Sequence, residues 1–81
     1  MKPRVTLYTR AGCCLCDEAK RVLEAARGRA RFDYEEVDID TDAGLRQTYN
    51  DDIPVISINS VRAFKHRVDL NEFLKKLAAR T

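Results

Sequence analysis

The apolar and polar positions of this chain change period several times, and each change marks an element. Val5 to Tyr8 is short, β-branched and alternating, the two-residue period of a strand. Thr9-Arg10-Ala11-Gly12 reads as a turn. From Cys13 the period lengthens. Cys16, Ala19, Val22, Leu23 and Ala26 fall on one helical face, with Asp17, Glu18, Lys20, Arg21 and Glu24 on the other and Gly28 as the stop. Phe32 to Ile39 reads as a second strand centred on Tyr34 to Asp38. Thr41 or Asp42 caps a short helix through Tyr49, with Leu45 and Tyr49 on one face, and Asn50-Asp51-Asp52 breaks it.

Ile53-Pro54 then leads into a strand, Val55-Ile56-Ser57-Ile58, and Asn59-Ser60 reads as a hairpin turn before a strand from Val61 to Phe64. Asp69 with Glu72 makes a capping-box-like helix start, and Leu70, Phe73, Leu74 and Leu77 form that helix's inner face. The predicted order is β-α-β-α-β-β-α. Strand, helix, strand spacing suggests a parallel pair first, and the hairpin adds an antiparallel pair. The fold class is α/β, with helices on both faces of a mixed sheet.

Length and composition narrow the class further. A chain of 81 residues, 44% hydrophobic and 35% charged, is expected to be one domain over residues 1–81. A chain this size buries about 60–65% of its unfolded surface, enough for one core. No apolar run is long enough to span a bilayer. Met1-Lys2-Pro3-Arg4 runs straight into the first strand without a signal-peptide pattern, so the expected address is the cytoplasm, where thiols stay reduced. Net charge is only +2, but it is unevenly placed: residues 1–31 carry 8 basic and 3 acidic side chains, residues 32–52 carry 1 and 8, and residues 53–81 carry 6 and 2. A solvated acidic segment between basic elements explains this, and a field that steers a charged partner is the sharper alternative. No basic face interleaved with aromatics marks a nucleic-acid binder.

All three cysteines, Cys13, Cys14 and Cys16, lie within four positions. Three are too few for a secreted disulfide framework, and their clustering points to redox chemistry or metal. Cys13 and Cys16 form C-x-x-C at a strand-to-helix junction. In the first turn of a helix, backbone N–H groups lack partners and the dipole is positive, so a sulfur there is favoured as thiolate. Such placement lowers thiol pKa values from about 8.5 to about 3.5–7.5 in known cases. Cys13 is therefore the candidate nucleophile, with Arg10 three residues upstream as an added positive charge. Cys16, one turn later on the apolar face, is the candidate resolving thiol. Ile53-Pro54 is the second element. An isolated X-Pro bond is most often trans. Following a C-x-x-C on a βαβ unit, it is expected to be cis and to hold the Ile53 backbone open to pair with a substrate segment.

The stretch from Leu7 to Lys20, with Cys13-Cys14-Leu15-Cys16 at its centre, resembles the active-site segment of glutaredoxins. Glu36-Val37-Asp38-Ile39-Asp40 is similar to their second strand and its exit, and Ile53-Pro54-Val55 to their cis-proline segment. The resemblance covers nearly the whole chain and is closest to small glutaredoxin-like proteins with a C-x-L-C site. It implies a thioredoxin fold with sheet order 2-1-3-4, Cys13 as nucleophile, Cys16 as resolving thiol and a cis Pro54. It places Arg10 where a glutathione-binding Lys is common, and Leu15 where an aromatic flanks bound glutathione. Lys65 and His66 stand at the position of a Gly-Gly pair, and Asp52 at that of a common Thr.

The reading that follows is a thiol–disulfide oxidoreductase acting on protein or small-molecule disulfides. Cys13 and Cys16 are its catalytic pair, and Arg10, Leu15, Ile53 and Pro54 contact substrate. Glutathione or a thioredoxin-type reductant recycles it, no cofactor is tightly bound, and a monomer is expected. Cys14 and His66 are read as solvent-facing, and Lys65, His66 and Arg67 as a solvated turn that could instead meet a carboxylate. Two alternatives stay open: a metal or iron–sulfur module, for which three cysteines and one distant histidine make a poor internal ligand set, and a non-catalytic thioredoxin-fold binding module.

Overall fold

The computed structural model describes residues 2–80. Strand β1 (Arg4–Thr9) is followed by helix α1 (Cys14–Arg27), strand β2 (Asp33–Asp38), a single 3-10 turn (Ile39–Thr41) and helix α2 (Ala43–Tyr49). Strands β3 (Val55–Ile58) and β4 (Val61–Lys65) and helix α3 (Leu70–Ala79) complete the chain. The sheet order is β2-β1-β3-β4, with β1 parallel to β2 and antiparallel to β3. The α/β class read from the pattern, and the thioredoxin-like sheet order implied by the resemblance, are the ones observed.

Period-two alternation in β1 divides its side chains between two faces. Val5 and Leu7, opposite Ile58 and Ile56, point toward α1 and α3 and are fully buried. Ala19, Leu23 and Ala26 of α1 and Phe73 and Leu77 of α3 close this core, with Phe32 at its edge. Phe73 is its aromatic centre, edge-on to Phe32 at 5.6 Å and tilted against Phe64 at 6.2 Å. On the other sheet face Tyr8 stacks on Tyr49 of α2 at 4.3 Å between ring centroids, with the Arg62 guanidinium 5.4 Å from the Tyr49 ring.

Several boundaries move from the sequence reading, each for a local reason. Phe32 and Ile39 lie outside β2: both are buried core residues flanking it, and Ile39 already belongs to the 3-10 turn. Asp42, not Thr41, caps α2 by accepting the Gly44 N–H at 2.7 Å, while the Thr41 hydroxyl turns back to donate to the Asp38 carbonyl. Val22 is only half-buried, at the margin of the α1 face. The hairpin turn is at Asn59-Ser60 as expected. Both residues have positive φ, 52° and 69°, the conformation a two-residue turn needs to follow strand twist. One extra residue, Ala63, bulges β4 between its pairings with Ile56 and Ser57.

Candidate active site

β1 ends where α1 begins, and the junction of loop and helix carries the thiols, Cys13 in the loop and Cys14 and Cys16 in the first turn of α1. Gly12 has φ +79°, a left-handed conformation in which a side chain would be strained, and it turns the chain into α1. Cys13 is the N-cap of α1. Its sulfur accepts the backbone N–H of Cys16 at 3.2 Å, so one of the unpaired N–H groups of the first turn points at this atom. Cys13 is half-buried, Cys14 exposed and Cys16 fully buried, and all three are free thiols. Burial pushes the Cys16 thiol pKa up, and the neighbouring Cys13 sulfur pushes it further.

Two groups work against that rise: the Thr9 side chain and the Arg10 backbone each favour the Cys16 thiolate. Thr9 Oγ1 is buried and lacks a hydrogen-bond partner. It is near enough to the Cys16 sulfur to favour its thiolate. A half-buried sulfur at a helix N-cap and a fully buried sulfur one turn below are thus held in different electrostatic surroundings within four residues.

The Ile53-Pro54 peptide bond is cis. The register that pairs Tyr8 with Val55 brings Pro54 to the end of β1, where the Cys13 loop starts. The sequence reading expects an open Ile53 backbone, but its N–H is engaged. It donates to the Tyr49 carbonyl at 3.2 Å, in the turn that closes α2. The segment is clamped from the far side by His66, whose N–H donates to the Pro54 carbonyl at 2.8 Å and to the Asp52 carbonyl at 3.3 Å. His66 makes this contact with φ +66°, a conformation uncommon for any residue with a Cβ. Its ring lies 3.8 Å from the Asp52 carboxylate, which also faces Arg62 at 3.5 Å. Asp52 therefore has a local role that its position in the sequence did not announce.

Arg10 is committed within the protein. Its Nε donates to both oxygens of Asp40 at 3.1 Å, and its Nη2 donates to Asp40 Oδ1 at 3.0 Å and to Asn50 Oδ1 at 2.8 Å. Asp40 raises the guanidinium pKa above its usual value. This network joins the Cys13 loop to the 3-10 turn and to the loop that leads into Pro54. Neither Asp40 nor Asn50 could be picked out from sequence, since both sit in a segment already dense in acidic and polar side chains. Leu15 lies half-buried at the mouth of a groove of about 150 Å³ between α1 and the β4–α3 loop, lined also by Val22, Val68, His66 and Arg67. Larger clefts of about 230 and 280 Å³ open near Lys2 and Arg4, at the N-terminal ends of β1 and β2, away from the thiols. Among the described residues no group of three His, Cys, Asp or Glu side chains gathers to hold a metal ion, and no helix is long and apolar enough to cross a membrane.

Comparison with known proteins places this geometry. A "Glutaredoxin-like protein YDR286C homolog" of Dictyostelium discoideum is 35% identical over 71 residues, which cover 80% of this chain and 66% of that protein. The chain thus spans just under two thirds of that relative's length. The X-ray structure of target protein XcR50 from X. campestris superposes with a TM-score of 0.78 at 35% identity, covering 93% of this chain and 96% of that one. Ne2328 from Nitrosomonas europaea shares the fold, with a TM-score of 0.81 at 24% identity over 94% of this chain and 92% of its own. Residues 4–78 match the Glutaredoxin-like domain (DUF836), and the chain belongs to that family.

Proposed function

We propose that the protein is a dithiol thiol–disulfide oxidoreductase. The Cys13 thiolate attacks one sulfur of a substrate disulfide. A Cys13–substrate disulfide forms, the substrate S–S bond breaks, and the other substrate sulfur leaves as a thiolate that takes up a proton. Cys16, once deprotonated, attacks the Cys13 sulfur. The second substrate thiolate is released and the Cys13–Cys16 disulfide remains. Two electrons have passed to the substrate, and an external dithiol or two molecules of glutathione return them. The substrates are disulfide-bearing proteins or small molecules. Ile53, Pro54 and Leu15 flank the approach to Cys13.

The observation that supports this best is the N-cap geometry: the Cys13 sulfur already accepts a backbone N–H of the first turn, an arrangement worth most when that sulfur is negative. Cys16 beneath it is buried and held toward the protonated form, as suits a thiol that acts second.

The test is a pair of variants. Cys13→Ser is expected to lose disulfide reduction altogether. Cys16→Ser is expected to react once and retain the substrate fragment on Cys13, visible as added mass that a reductant removes. Turnover by Cys13→Ser at the wild-type rate would overturn the assignment.

A further inference from the structure

A guanidinium three residues before a nucleophilic sulfur would ordinarily attract the carboxylates of an incoming anionic disulfide. Here that role is already filled from inside. Arg10 meets both oxygens of Asp40 at 3.0–3.1 Å and spends its remaining contact on Asn50. Asp40 is itself held: its N–H donates to Asp38 Oδ1 at 2.9 Å, in the 3-10 turn that Asp38 caps. Arg10 also lies within Coulombic reach of the Cys13 sulfur. Both partners of the pair remain partly exposed, 31% for Arg10 and 43% for Asp40, so solvent-borne anions can reach them.

We infer that Asp40 is a positioning residue that sets substrate charge preference: it occupies Arg10 as an internal carboxylate and removes the advantage that disulfides bearing carboxylates would otherwise have at Cys13. The inference rests on the oxidoreductase reading and names its substrate class, disulfides without a carboxylate at this subsite. The physical ground is competition. A tethered carboxylate competes at an effective concentration that a free ligand at millimolar levels does not match, and the two-point geometry is the strong form of this pair. The same contacts tie Arg10 to the 3-10 turn and to the loop leading to Pro54.

The experiment uses the reduced full chain in single-turnover reactions. Second-order rates of Cys13 oxidation, read by quench with an alkylating reagent and mass spectrometry, are compared for dithiodipropionate and bis(2-hydroxyethyl) disulfide. The first carries carboxylates and the second is neutral. In Asp40→Asn the ratio of anionic to neutral rate is expected to rise about fivefold, the scale of one partly exposed charge contact. In Asp40→Glu it is expected to stay at the wild-type value, which a merely structural role at this position would not require. In Arg10→Gln/Asp40→Asn, which removes both charges, it is expected to remain within twofold of wild type.

A rise below about twofold in a folded Asp40→Asn protein overturns the inference. So does a several-fold drop of the ratio in the double variant, since that would show Arg10 recruiting carboxylates in the wild type. If Asp40→Asn does not fold, the double variant decides alone. Failure of the underlying reading looks different: reduced wild-type protein would then react with neither disulfide.

Discussion

Thr9 is the residue whose chemistry is least apparent from its place in the chain. It closes β1 with its side chain on the α1 side of the sheet, 6% exposed, and its hydroxyl lacks a hydrogen-bond partner. A buried unpaired hydroxyl is a burden on stability of about 1–3 kcal/mol. The Cys16 thiolate is the state that would use it. Thr9→Val keeps the shape and deletes the hydroxyl. Its folding stability is expected to be unchanged or to rise by up to about 1 kcal/mol in a urea titration, while release of substrate from the Cys13 mixed disulfide slows. A purely structural Thr9 would show neither the slower release nor its dependence on pH. His66 makes a related point. The sequence reading placed it in a solvated turn, and its ring is indeed about half exposed. Its backbone, at φ +66°, does the structural work by holding Pro54 and Asp52. A histidine code carries no φ, so this position was legible only through the Gly-Gly pair that the glutaredoxin resemblance put there.

At the scale of elements, periodicity was a good guide wherever one face of an element meets the core. β1, α1, β3 and α3 fall within a residue or two of their expected limits because burial of Leu7, Leu23, Ile56 and Phe73 repeats at the strand or helix period. It failed for the ends of β2 and for Val22, where an apolar side chain is buried by tertiary contact or left at a margin that local spacing does not define. The thiols were legible for the same reason that α1 was: their spacing and the helix phase are one fact. Arg10 was legible as a charge near Cys13, but its partners depended on bringing residues 10, 40 and 50 together, a pairing across 30 and 40 positions. Caps are the local exception, being encoded in a few residues. Asp69 accepts the Glu72 N–H at 3.1 Å and starts α3, which carries Phe73 and Leu77 into the core. Asp69→Ala is expected to cost about 1 kcal/mol and to lower the melting temperature by about 4–8 °C. Asp69→Asn, which keeps an N-cap acceptor, is expected to recover most of that loss.

For the molecule as a whole, buried Cys16 and half-buried Tyr34 and Tyr8 shift in one direction. Burial raises the pKa of Cys16, and burial is also the leading cause of the rise at Tyr34 and Tyr8, with Glu36 and Tyr49 adding to it respectively. Each is neutral when protonated, so the folded state keeps protons that the unfolded chain gives up. Unfolding then releases protons once pH passes the ordinary thiol value of about 9 and the ordinary tyrosine value of about 10. With more protons bound in the native state, the slope of unfolding free energy against pH is negative there. Below that range both states hold these protons, and the same groups contribute no slope. Stability of the reduced protein, measured by urea unfolding, is therefore expected to be level with respect to these groups near neutral pH and to fall steadily from about pH 9 upward. Cys16→Ala should make the first part of that fall shallower and leave the later, tyrosine-linked part in place. A reduced wild-type protein whose stability stays flat to pH 10.5 would show that these side chains are not held apart from water. The same alkaline range is where Cys16 ionises, so under the proposed mechanism release of substrate from Cys13 is expected to quicken as the fold that supports it weakens. In the proposed mechanism the burial of Cys16 thus links substrate release to the first part of that loss of stability.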